Sequence, residues 1–180
     1  MLSYSRRHSC SIVVVLAVFL AAAPIASAAD GSSAVMHLRT NEPDLAVLIT
    51  EALQRSPSFR LLVERLNASD VIVYVRSTRD LPRGVDGHLT FMGVAGGRRY
   101  VVVSLDWGRS RLRLTATLGH ELQHAVEIAE RQDIVDHLTM VQAYETFGDE
   151  GAWRPKGRSF DTPAAIRAGD RVWKEMASAR

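Results

Sequence analysis

Residues 112–130 read LRLTATLGHELQHAVEIAE, and the assignment of this stretch organises the rest of the chain. Leu114, Leu118, Leu122, Ala125 and Ala129 recur at spacings of three and four, the period of an amphipathic helix. Residues four apart on a helix stand one above the other on one face. His120 and His124 have that spacing, so both rings can turn a nitrogen toward one ion at about 2.0–2.1 Å. Glu121 adjoins the first ring and can reach a water at that ion, where a carboxylate acts as general base. The pentapeptide is the HExxH pattern. A surface helix with two solvated His is the plainer alternative, but both rings lie beside the apolar stripe. Gly119 costs the helix about 1 kcal/mol relative to Ala. An interior Gly of this kind permits close packing or leaves room for a ligand.

The chain begins with a segment that stands apart from fold reasoning. Arg6, Arg7 and His8 precede an apolar run from Ile12 to Ala23, and Ala26-Ser27-Ala28 matches a small-residue cleavage site. Residues 1–28 therefore read as a signal peptide, and the run is short for a membrane span. Residues 29–180 are expected to form a single exported domain, periplasmic or extracellular, with no stable membrane insertion after cleavage. The one cysteine, Cys10, leaves with the signal, so neither a disulfide framework nor a Cys-based metal site is available. Arg6 and Arg7 account for the formal charge of +2; 20 basic residues then balance 20 acidic ones. That balance argues against nucleic acid or anionic membrane as a partner. About 150 residues suffice for one compact core.

Along the mature chain the pattern is a strand at residues 35–39, a helix with Asn41 as cap and Pro43 early in it, and a break at Ser56-Pro57-Ser58. A second helix, Phe59 to Leu66, follows. Val71 to Val75 is a β-branched run and the clearest buried strand. Residues 88–94 and 100–105 flank Gly96-Gly97 and predict a hairpin. Residues 133–147 and 161–176 read as helices, separated by a polar loop. The expectation is an α+β domain: a small, mostly antiparallel sheet packed on helices, then the HExxH helix and two C-terminal helices.

A catalytic zinc site has three protein ligands and an open position. The arrangement with a third His six residues after the second is absent, because positions 127 and 130 are both Glu. Glu127 lies seven residues, about 10.5 Å of helix rise, beyond His120, which suits an orienting hydrogen bond to an imidazole better than ligation. Glu145 on the next helix and His137 are further candidates. Asp161, just before Thr162-Pro163, has the plain alternative of a helix cap.

The stretch Gly119 to Ala129 resembles the HEL-x-HA-x-E-x-A segment of small exported bacterial HExxH metallopeptidases. Those chains carry a downstream aromatic-Glu-Thr-x-Ala-Ala-x-x-x-Gly segment, matched here by Phe160-Asp161-Thr162-Pro163-Ala164-Ala165 with Gly169 in step. The resemblance spans roughly residues 87–176. It implies a minimal zincin-like, gluzincin-like fold, with Asp161 as third ligand where the pattern has Glu. An Asp is one methylene shorter, so the last helix must approach more closely. The resemblance further implies Zn2+ held by His120, His124 and Asp161, with Glu121 as general base in the hydrolysis of a peptide or protein substrate. A zinc-binding or interaction domain of the same fold without turnover is the alternative. Tyr144 is a candidate oxyanion donor, more simply an aromatic packed on the helix pair. Trp107, Trp153 and Trp173 read as core or rim aromatics. The hairpin offers a sheet edge on which an extended peptide could pair. Oligomeric state is not legible.

Overall fold

The four-stranded sheet of this protein has the order β1-β2-β4-β3 and is mixed. The structure, a computed structural model, describes residues 36–147, 153–154, 157–158 and 161–178. The assigned signal peptide, residues 1–28, lies outside the described residues. Elements follow in the order β1 (Leu38–Arg39), α1 (Pro43–Arg55), α2 (Pro57–Asn67), β2 (Val71–Thr78), β3 (Gly87–Ala95), β4 (Arg98–Asp106), α3 (Arg111–Glu130), α4 (His137–Phe147), β5 (Trp153–Arg154), β6 (Gly157–Arg158) and α5 (Pro163–Ser178). The described residues thus form five helices, this mixed sheet and a separate β5-β6 pair.

The mostly antiparallel sheet expected from the sequence is corrected here. β1 pairs β2 and β2 pairs β4 in parallel; only β3 and β4 are antiparallel. The reason is connectivity. The α1-α2 segment carries the chain back to the end of the sheet where it started, so β2 runs with β1. β3 reverses direction, the hairpin reverses it again, and β4 runs with β2. The hairpin is as expected. Gly96 and Gly97 sit at φ 56° and 70°, the left-handed values that a two-residue turn of type I′ requires.

One row of side chains crosses the sheet: Leu38 opposite Val73, Val73 opposite Val101, and Val101 opposite Phe91. A second row joins Val75, Val103 and Leu89. All are buried and share one core with Leu45, Leu48, Phe59, Leu66, Leu118, Leu122 and Ile128 of the first three helices. On the opposite face Tyr74, Thr90 and Val102 are half-buried. No described helix is long and apolar enough to cross a membrane.

Two local assignments differ from the reading of the sequence. Asn41 is not the cap of α1; Glu42 holds that place and makes no capping bond. Its carboxylate instead accepts from the Ser77 N–H and hydroxyl at the end of β2. Ser56 both ends α1 and caps α2, where its hydroxyl accepts from Phe59 N–H at 3.0 Å.

The C-terminus of α3 is held by a buried cation. The Arg99 side chain, 4% exposed, sits on β4. Its guanidinium donates to both oxygens of Asp70, at 2.8 and 2.7 Å, and to the carbonyls of Ile128, Ala129, Arg131 and Ile134. Carbonyls at a helix end have no partner within the helix and carry partial negative charge, so a cation is favourable there. The Arg99 hydrogen bonds, only partly opposed by burial, hold the Asp70 carboxyl below its ordinary pKa. Replacing Arg99 by Met strands Asp70 and four carbonyls, and should lower stability by about 3–5 kcal/mol, read by thermal denaturation at neutral pH. For Asp70→Asn the pH dependence has a sign. A depressed carboxyl stabilises fully above its unfolded pKa and loses that contribution as pH falls through the folded value. The gap in Tm between wild type and Asp70→Asn should therefore close below about pH 3.9.

Candidate metal centre

Helix α3 begins at Ser110, whose hydroxyl accepts from Arg113 N–H at 3.3 Å, and runs through the HExxH segment without interruption. Five residues of one turn then serve different neighbours. Leu122 is in the core, His120 and Glu121 border a cleft, and His124 is almost enclosed. The Nε2 atoms of His120 and His124 lie 3.1 Å apart, with the rings at 75°. Asp161, at the entrance to α5, places Oδ1 3.2 Å from His120 Nε2. One ligand atom from each of the three residues falls within 4.8 Å of the others, a group that could hold a metal ion.

The spacing can be compared with that of a bound ion. Ligands at 2.0–2.1 Å on a tetrahedron stand about 3.3 Å from one another. The separations of His120 from His124 and from Asp161, 3.1 and 3.2 Å, are close to that edge. The donor set also suits a borderline divalent ion: two imidazoles and one carboxylate. These residues could hold a divalent metal ion.

The tautomer of His124 is set from behind. Its Nδ1 lies 2.9 Å from Glu127 Oε2, so the Nδ1–H donates there and the Nε2 lone pair faces the cleft. Glu127 has two further partners. Tyr144 OH on α4 donates to Oε2 at 3.2 Å, and Thr162 Oγ1 donates to Oε1 at 2.6 Å. Thr162 is also the cap of α5, accepting from Ala165 N–H at 3.0 Å. Burial pushes the Glu127 carboxyl up, but its bonds to His124, Thr162 and Tyr144 prevail and hold it below the ordinary value. Burial and then the Glu127 charge push the Tyr144 phenol well above its ordinary range. For His120, burial works against the protonated ring. The bond the ring donates to Asp161 and the charges of Glu121, Asp161 and Glu127 outweigh it, and the pKa is raised.

Each candidate from the sequence has a place. Asp161 is not the α5 cap, because Thr162 takes that role, and its carboxylate meets His120 instead. Glu127 orients His124 and lies outside the three-residue group. Glu145 is exposed and does not border the cleft; His137 is exposed at its rim. Tyr144 borders the cleft, and its hydroxyl donates to Glu127 and to the His124 carbonyl, so it supports the ring. Thr162 and Gly87 were not singled out from the sequence. A Cβ at Gly87 would stand 2.5 Å from Thr117 Cγ2 and 3.1 Å from Glu121 Oε1, so only Gly lets β3 start against the HExxH helix. The Glu121 carboxylate itself has no hydrogen-bond partner among the described residues, and it is buried.

The α5 helix reaches this close through two glycines. A Cβ at Gly119 would lie 2.8 Å from Val172 Cγ2, and one at Gly169 would lie 3.3 Å from His120 Cβ. The shorter reach of Asp relative to Glu is thereby met by a close helix crossing. The cleft in front of the three donors measures about 1320 Å3. Leu81, Val85 and His88 form one wall; Met140 and Trp173 belong to the other.

No protein-family model, curated protein or solved structure matches this chain. The centre therefore stands on its own geometry. Three substitutions test that geometry. Asp161→Ala should abolish tight binding of a divalent ion, whereas Glu145→Ala should leave it unchanged, by competition with a chromophoric chelator. Glu127→Gln retains all three donors but disturbs the His124 tautomer, and should weaken the ion by about 10–100-fold in the same titration.

Proposed function

We propose that this chain is an exported, zinc-dependent metallopeptidase with a minimal zincin-like domain. The observation that carries the reading is the meeting of His120, His124 and Asp161 beside the carboxylate of Glu121, which has no hydrogen-bond partner among the described residues, at the floor of a cleft. In this reading His120 Nε2, His124 Nε2 and an Asp161 oxygen hold the ion. Zinc in such a cage supplies a Lewis acid that polarises a carbonyl and brings the pKa of water toward ~7.

The remaining chemistry belongs to the chain. Glu121 accepts the proton of the attacking water on its free carboxylate and delivers it to the leaving amine. Its position is set by the bare backbone of Gly87 and by Thr117. The Glu127 bond at Nδ1 orients the His124 ring and leaves its Nε2 facing the ion. Strand β3 is an edge of the sheet, and its first residues border the cleft. Its free backbone groups can pair with an extended peptide and lay a peptide bond across the donors. The segment 1–28, with its basic start, apolar run and Ala26-Ser27-Ala28, supports export to the periplasm or medium.

The decisive experiment compares wild type with Glu121→Gln on a mixture of unfolded peptides, followed by mass spectrometry with zinc content measured in parallel. The variant should keep its zinc and lose about 10²–10⁴-fold in kcat/KM. Full zinc occupancy in wild type without any cleavage would favour a zinc-binding domain that lacks turnover.

A further inference from the structure

Helix α5 carries two apolar stripes, and only one of them is in the core. Ala165, Ala168, Val172 and Met176 are buried. Ile166, Gly169, Asp170 and Trp173 recur at helical spacing and border the cleft instead. Ile166 and Trp173 remain 46% and 38% exposed there. Between these two large side chains stands Asp170, also exposed. Its carboxylate makes no hydrogen bond or ion pair among the described residues. Arg167 and Lys174 lie about one turn away on the same helix, but neither borders the cleft or pairs with Asp170. The stripe adjoins the metal donors: a Cβ at Gly169 would lie 3.3 Å from His120 Cβ, and Asp170 is the next residue.

We propose, resting on the metallopeptidase reading, that this stripe is a specificity subsite for a basic substrate side chain, Lys or Arg, next to the scissile bond. The alkyl stem lies along Ile166 and Trp173, and the cation meets the Asp170 carboxylate beside the indole. An apolar side chain in the same place would strip water from Asp170 without replacing it, which is unfavourable for a carboxylate. An acidic one would meet a like charge. Of the described α5 residues that border the cleft, Asp170 alone is charged. Among the arginines at the cleft, Arg113 is held by Asp86. Arg83 makes no hydrogen bond or ion pair among the described residues, but it belongs to the opposite wall with Leu81 and Val85.

The test uses short peptides, N-acetylated and C-amidated, in which Lys, Arg, norleucine or Glu is moved through successive positions. Cleavage by the zinc-loaded wild type gives kcat/KM, and calorimetry with zinc-loaded Glu121→Gln gives Kd without turnover. At one position Lys and Arg should exceed norleucine by about tenfold in both measurements, the combined effect of an exposed ion pair and a cation on an indole. Glu should fall below norleucine. Asp170→Asn should bring the ratio of Lys to norleucine to about one. Asp44→Asn, which removes the same charge from an exposed place on α1, should keep the ratio. A Lys preference in binding that depends on Asp170, without any cleavage by wild type, would uphold the subsite and overturn the peptidase reading. Cleavage without that preference, or a preference that survives Asp170→Asn, overturns the subsite and leaves the peptidase reading intact. A preference seen only with an unblocked N-terminus would assign Asp170 to an α-amine and overturn the side-chain subsite. Neither binding nor cleavage of any peptide overturns both.

Discussion

Glu127 is the group on which the rest of the site depends. A single carboxylate joins His124 on α3, Tyr144 on α4 and the cap of α5 at Thr162. Each bond constrains something different. The first fixes which nitrogen of His124 is bare. The second brings α4 against the back of the ring. The third places the entrance of α5, and the residue before that cap is Asp161. A buried carboxylate is expensive unless its oxygens are satisfied, and here each oxygen accepts from a hydroxyl, with the His124 ring on one of them as well. The bonds that stabilise the charge are also the bonds that assemble the three donors.

Two further constraints act on the same helix from its other neighbours. Arg99 ties the carbonyl end of α3 to Asp70 and to β4, so the HExxH helix is anchored to the sheet. Gly119 and Gly169 remove the side-chain bulk between α3 and α5. With any larger residue at Gly119, Val172 would have to yield or the helices would separate. Asp161 would then retreat from His120, and the shorter acid has no spare length with which to follow.

Much of this was legible in the residues. The HExxH turn, its helix, the Gly-Gly hairpin and the break at Ser56-Pro57 all follow from local periods and turn chemistry that nearby residues dictate. Asp161 was legible only through its likeness to a known sequence segment, because periodicity alone reads Asp-Thr-Pro as a cap. The direction of β1 and β2 was misread. A signal did exist: Val71 to Val75 and Val101 to Leu105 are nearly continuous apolar runs, the pattern of parallel strands rather than of an alternating antiparallel face.

The sequence by itself determined where one helical turn could hold two imidazoles and a base, since that spacing is a property of the α-helix and needs no other part of the chain. Only the tertiary structure decided which acid completes the set. Glu127, Glu145, His137 and Asp161 lie 3, 21, 13 and 37 positions beyond His124, and nothing in local propensity ranks them. The choice comes from packing. Helix α5 crosses α3 at its glycines, and Thr162 caps one helix while bonding the carboxylate of another. Contacts of that kind exist only once distant segments have been brought together, which is why no window of sequence contains them.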